Sequence, residues 1–278
     1  MNSSPAGWFK VVCGYLFVGS IGFMLVSAAG CASKMDGVSI GGGRSEIVTD
    51  SDEPEVRRRA RIRLELAVGY FEQGQTTIAL DELKQSLATD PDYAEAYNLR
   101  GLIYMRLNDF RFAEESFKKA IALNPQDSSV VHNLGWLMCL QARYPESFGL
   151  FSKALSNPQY GERAKTYRAL GLCQLRAGLR GEAEASLLKS HEFDAANPVT
   201  AFNLALLMFQ RGDFVRAQFY ARRLNNSEMA NAESLWLGVK VERRMENRDA
   251  MLQLAAQLMK RFPQSNEAAA YQRGSFDE

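Results

Sequence analysis

Residues 94–125, AEAYNLRGLIYMRLNDFRFAEESFKKAIALNP, contain the reading that decides the fold. Apolar and small residues recur every three or four positions in two runs, split at Asn108-Asp109 and closed by Asn124-Pro125. That spacing gives a helix one apolar face. An Asn-Asp pair favours a turn, and proline disfavours helical geometry in the residue before it. The stretch therefore reads as a helical hairpin over Tyr93–Asn124. Its Gly101 and Ala113 are members of two ladders that extend outward in both directions. Ala67, Gly101, Gly135, Gly171, Ala205 and Gly238 step by 34, 34, 36, 34 and 33. Ala79, Ala113, Ser147, Ala183, Ala217 and Ala250 follow the first ladder by 12 each time. Two small residues per period, at fixed separation, are what stacked hairpins need where backbones cross closely.

A period of about 34 is the signature of tetratricopeptide (TPR) arrays. Tyr97, Gly101, Tyr104, Ala113, Phe117, Ala120 and Pro125 fall where the TPR pattern places its large and small residues. The expected fold is all-α: a right-handed superhelix of about six TPR helix pairs over residues 56–278, closed by a short capping helix near Asn266–Gln272. Prolines at Asp90-Pro91, Asn124-Pro125, Asn157-Pro158, Asn197-Pro198 and Phe262-Pro263 punctuate the pairs. Gly74, Asn108, Gly178 and Gly212 mark turns inside them, as left-handed helix ends prefer. In the first pair Leu66, Tyr70, Leu80, Leu83 and Leu87 are the expected core.

Ahead of the repeats, residues 1–30 read as an export signal. Lys10 precedes the apolar run VVCGYLFVGSIGFMLV (11–26), which ends in Ser27-Ala28-Ala29-Gly30-Cys31. The Cys after Ala-Ala-Gly resembles the lipobox of bacterial lipoproteins, with Ala28 where Leu is usual. This resemblance implies cleavage before Cys31 and acylation of that residue. Several acyl chains, at about 0.8 kcal/mol per buried methylene, would make a lasting anchor. An uncleaved signal anchor, from a run approaching spanning length, and a conventional cleavable signal are the competing readings. Ala32-Ser33, with no Asp, resembles the enterobacterial pattern for outer-membrane delivery. Residues 31–55, rich in Gly, Ser and Asp up to residue 52, read as a flexible tether.

Composition narrows the function. Lys10 is the only charged side chain among the first 30 residues, so the rest carries 32 basic and 32 acidic groups. That balance gives no electrostatic case for nucleic acid. The Arg57–Arg58–Arg59 run reads as a solvated helix face. His132 and His191 are the only histidines and have no ligand partners at helical spacing. His191, near the end of a helix, is placed to interact with the helix dipole. No phosphate loop, nucleophile elbow, zinc spacing or other metal motif is present, so no cofactor and no enzymatic activity are expected. Four cysteines occur. With Cys13 in the signal and Cys31 assigned to acylation, Cys139 and Cys173 remain. They occupy unequal positions relative to Gly135 and Gly171, and two buried free thiols are expected.

Function in such an array lies on the face that packing leaves free. In TPR proteins the first helix of each pair lines a concave groove. The first pair offers Arg61, Leu64, Val68 and Phe71 to it. The second offers Glu95, Asn98, Leu102 and Met105, with Leu99 beside Asn98. The third offers His132, Asn133, Trp136 and Cys139, and the fourth Lys165, Arg168, Leu172 and Leu175. Leu64, Val68, Phe71, Leu99, Leu102, Met105 and Trp136 form the expected partner-binding groove across the first three pairs. A large apolar patch of this kind usually marks a partner site.

A lipobox, a short tether and six TPR pairs together resemble the PilF/PilW family of type IV pilus biogenesis lipoproteins, the secretin pilotins. The second repeat and the last segment, ESLWLGVKVERRMENRDAMLQLAAQLMKRFPQS (233–265), carry the resemblance. It implies an outer-membrane, periplasm-facing protein, lipid-anchored through acylated Cys31. It also implies binding of type IV pilus secretin subunits and promotion of their localisation and multimerisation. The rival reading is another periplasmic TPR lipoprotein scaffold, such as an adaptor for a protease, cell-wall machinery or outer-membrane protein assembly.

Overall fold

The structure, a computed structural model, describes residues 52–276. The proposed signal and acylation site lie outside these residues. Thirteen helices and no strands occur among the described residues: α1 (Glu55–Glu72), α2 (Thr76–Thr89), α3 (Ala94–Arg106), α4 (Phe110–Leu123), α5 (Ser128–Leu140), α6 (Tyr144–Ser156), α7 (Arg163–Arg176), α8 (Arg180–Phe193), α9 (Pro198–Gln210), α10 (Phe214–Asn225), α11 (Ala232–Arg244), α12 (Arg248–Arg261) and α13 (Asn266–Arg273). Each odd-numbered helix up to α11 packs on the next as a hairpin, and each hairpin packs on its neighbours in sequence order. The result is the expected all-α repeat superhelix.

The same turn joins the two helices of all six pairs. The second residue after the first helix lies in the left-handed region: Gly74, Asn108, Ala142, Gly178, Gly212 and Glu246 have φ between 58° and 83°. The next backbone N–H then reaches five residues back, as from Gln75 to Tyr70 and Asp109 to Tyr104, at 2.8 and 2.9 Å. This is the Schellman arrangement, which satisfies carbonyls at the helix end. Asp109, Asp213 and Asn247 then cap the following helix. Two of the six turns use Ala142 and Glu246, residues with no turn signal of their own; the repeat imposes the conformation on them.

The ladders lie at the helix crossings. Ala67, Ala205, Ala79, Ala113, Ser147, Ala183 and Ala217 are fully buried, whereas Ala250 is half-buried. Sixteen residues after each of the first four first-ladder residues stands a large side chain of the second helix: Leu83, Phe117, Phe151 and Leu187, each at most 1% exposed. A Cβ on Gly101 would lie 2.5 Å from Phe117, and one on Gly171 2.7 Å from Leu187. Ser147 fits the second ladder because its hydroxyl donates to the Gly135 carbonyl at 2.8 Å. Glu242 of α11, 1% exposed, is held by Arg222 and Gln218 of α10, at 2.7 and 2.9 Å.

Two sequence expectations need correction. Leu66 is not core: it is 44% exposed, beside Ile62 at 49%. The equivalent Leu134, Leu204 and Leu237 are buried, because a preceding helix pair covers them. No described helix covers that face of α1. At the other end α13 closes the stack, its Tyr271 and the following Phe276 meeting Trp236, with Arg243 over the Phe276 ring at 3.8 Å.

Cys139 and Cys173 are not free thiols: they form a disulfide with Cα atoms 5.8 Å apart. Neighbouring first helices meet through different faces. The side of α5 that looks forward and the side of α7 that looks back carry different frame positions. Unequal positions are therefore what bring side chains together. His132 and Thr166 pair across the same seam, 34 residues apart like the two cysteines, with His132 Nδ1 and Thr166 Oγ1 at 2.8 Å. The two contacts are rungs one heptad apart.

Crowding at the first ladder predicts opposite outcomes for two glycines. Gly101→Val should destabilise the fold by about 2–3 kcal/mol through overpacking against Phe117. Gly149→Ala, at an α6 position where a Cβ meets nothing within 4 Å, should stabilise it by up to about 1 kcal/mol. Urea unfolding measures both, and equal effects would remove the crossing argument. Reducing the disulfide should cost about 3–4 kcal/mol, given the chain segment it closes. Thiol labelling after unfolding without reductant should leave Cys139 and Cys173 unmodified.

Candidate functional site

The first helices α3, α5 and α7 place two rows of side chains side by side. Three residues before the ladder glycine stand Asn98, His132 and Arg168; one residue after it stand Leu102, Trp136 and Leu172. An interval of four residues keeps both rows on one helix face. Together they line a cavity of about 550 Å³, open along one side. One row is polar and the other apolar, so the groove is two-sided across its width.

Chemistry differs along the polar row. Asn133 Nδ2 donates to Asn98 Oδ1 at 3.0 Å, bridging α5 and α3. His132 is 5% exposed, stacks at a tilt on Phe151 and pairs with Thr166, which in turn meets the Tyr160 hydroxyl at 2.9 Å. Burial first, and the neighbouring Lys165 and Arg168 with it, pushes its pKa down to about 4. The ring is neutral at pH 7 and serves as a structural rung. Glu162, at the start of α7, accepts from Lys165 at 3.1 Å and from Ser129 at 3.5 Å. Arg168 is half-buried and makes no ion pair among the described residues. On the apolar row, Trp136 packs beside the disulfide, with Arg176 over its ring at 5.0 Å.

The seven residues expected to line the groove separate into two classes. Leu102 and Trp136 line the cavity together. Val68 is 37% exposed, and Phe71 and Met105 are half-buried. Arg106 lies over the Phe71 ring at 5.3 Å and donates to its carbonyl. Leu64 and Leu99, however, are 9% and 7% exposed and belong to one core cluster with Ala60, Ala67 and Ile103. They seal α1 against α3 and are not groove surface. The cavity is centred one pair further along than the expected patch. Glu162 was missed because it lies in a six-residue connection before α7, two residues longer than those before α3, α5 and α9, and the step of 36 in the ladder was the signal. Ser129 stands 34 residues after Glu95, so the repeat itself marked it. His191 lies in the last turn of α8, where the sequence placed it; burial, then Arg223, lowers its pKa. Among the described residues no three His, Cys, Asp or Glu side chains are grouped to hold a metal ion, and no helix is long and apolar enough to cross a membrane.

Comparison with known proteins meets this geometry. Families described as tetratricopeptide repeat and TPR repeat match residues 94–127 and 69–108. The type IV pilus assembly protein PilF of Pseudomonas aeruginosa is 26% identical over 249 residues, spanning 90% of this chain and 95% of PilF. The solved P. aeruginosa PilF structure aligns at a TM-score of 0.72 and 26% identity, over 80% of this chain and 100% of that one. PilW, a widely conserved type IV pilus biogenesis factor, aligns at 0.69 and 28% identity, over 79% of this chain and 99% of its own. The chain is a TPR protein of the PilF/PilW type. YrrB, a TPR protein with an unusual peptide-binding site, shares the fold at a TM-score of 0.54 and 16% identity.

In this PilF/PilW-type chain the buried His132 makes stability depend on pH. Its folded pKa of about 4 lies below the ordinary 6.5. The unfolded chain therefore binds the extra proton between those values. Its contribution is complete above pH 6.5 and is lost as pH falls toward 4, by on the order of 3 kcal/mol. Urea unfolding across that range should show a shallower fall for His132→Asn than for the wild type. Parallel curves would show that His132 is not the group responsible.

Proposed function

We propose that the chain is an outer-membrane lipoprotein, facing the periplasm and anchored through acylated Cys31, that acts as a pilotin. It binds type IV pilus secretin subunits through the concave groove and promotes their outer-membrane localisation and multimerisation. The observation that carries this reading is the apolar groove surface that packing covers only in part, Val68, Met105, Leu102 and Trp136, in a chain that PilF matches almost end to end. Secretin subunits carry amphipathic segments that would aggregate or insert into the wrong membrane. An exposed apolar groove can hold such a segment as a helix or an extended strand. The lipid anchor then confines the pair to one surface, where raised effective concentration favours ring assembly. The role is binding and delivery, with no chemistry on the client.

Groove and anchor are tested separately. Val68→Asp combined with Met105→Asp should abolish secretin multimers and surface pili in a variant whose helical circular dichroism and cooperative melt show that it is folded. Normal multimers and pili in that folded variant would remove the groove from the mechanism. Cys31→Ala should release the protein from the outer-membrane fraction and mislocalise the secretin. Unchanged fractionation would show that acylation is not the anchor.

A further inference from the structure

The cavity between α3, α5 and α7 carries one charge that the fold does not use. Among its ionisable groups, Glu162 is already satisfied by Lys165 and Ser129, and His132 is neutral at pH 7. Arg168 remains: a half-buried guanidinium with no carboxylate partner among the described residues. A partly desolvated cation beside an apolar wall favours an anion more than an exposed surface charge does, because water screens it less. Next to it runs the Leu102–Trp136–Leu172 row, which can cover one large apolar side chain. The Asn98–Asn133 bond uses one amide hydrogen and one oxygen. It leaves an N–H of Asn98 and the carbonyl of Asn133, a donor and an acceptor side by side, as a peptide group requires.

We propose that this stretch of the groove is a peptide site selecting an internal Asp or Glu next to a large apolar residue in an extended segment. Arg168 reads the carboxylate, the Leu102–Trp136–Leu172 row holds the apolar side chain, and the Asn98–Asn133 pair aligns the backbone. An extended chain puts neighbouring side chains on opposite sides, about 3.3 Å apart along its axis. That matches a groove with one polar and one apolar bank. First helices of further pairs, α1 and α9, flank the site on both sides, so a segment longer than the site finds helix surface beyond it in each direction. This favours an acidic side chain within a chain over a terminal carboxylate. One uncompensated cation is too few for a nucleic-acid backbone, whose affinity grows with the number of phosphates neutralised. The inference rests on the reading of the chain as a protein-binding scaffold but names a specificity that reading lacks.

The test uses the full-length protein in detergent and three fluorescein-labelled peptides: Ser-Gly-Phe-Glu-Gly-Ser with an amidated end, the same peptide with Gln for Glu, and Ser-Gly-Phe with a free carboxylate. Fluorescence polarisation should give the Glu peptide about tenfold tighter binding than the Gln peptide, as expected for a charge-assisted pair. Arg168→Gln should erase that difference. Its melting curve should be unchanged, since Arg168 makes no ion pair in the fold. Leu172→Ala should weaken both amidated peptides alike. Equal affinities for Glu and Gln, no binding of either, or a preference surviving Arg168→Gln would overturn the proposal. Tighter binding of the free-carboxylate peptide would overturn the choice of an internal residue. None of these readouts involves secretin or pili, so failure here is distinct from failure of the pilotin reading.

Discussion

One contact is repeated through most of the array: a large side chain of the second helix pressed onto a small residue of the first. Leu83 on Ala67, Phe117 on Gly101, Phe151 on Gly135 and Leu187 on Gly171 are versions of it. Because the small residue admits the side chain to the helix backbone, the two axes come close and the crossing is fixed. Side chains on the same first helix are then fixed as well. The two banks of the groove, three residues before and one after each glycine, are a consequence of where that glycine must sit.

The fold was legible because this contact has a local sequence cost. Gly in a helix interior costs stability, so glycines that recur at a fixed period report crossings, as a lone one such as Gly149 does not. Proline joints and turn residues then set the helix ends to within a residue or two. What the ladder could not report was which residues face each other between pairs. That depends on the angle at which hairpins stack, and no single position encodes it. Cys139 and Cys173 were separated by this ambiguity, although their spacing equals the repeat. Leu64 and Leu99 were assigned to the groove for the same reason: they lie at its edge in one helix frame, and stacking turns them inward.

End effects were the second blind spot. Leu66 carries the residue type its frame dictates, and it is exposed because no pair among the described residues covers it. The polar bank was partly visible, since Asn98, His132 and Arg168 were all placed on the groove face. Its division into a bonded amide, a neutral ring and an unspent cation depends on which neighbours the stacked helices bring to each residue.

The α5–α7 seam differs in kind from the others. Elsewhere among the described residues neighbouring pairs are joined by non-covalent contacts, and a stack of nearest-neighbour units opens from its ends inward. The end with α13 is sealed, whereas no described helix covers the Ile62–Leu66 face of α1. Fraying that starts at α1 therefore meets a covalent clasp halfway along. The disulfide thus divides the array into a part ahead of the clasp that can open from its end and a part held to it covalently, and the groove spans the two.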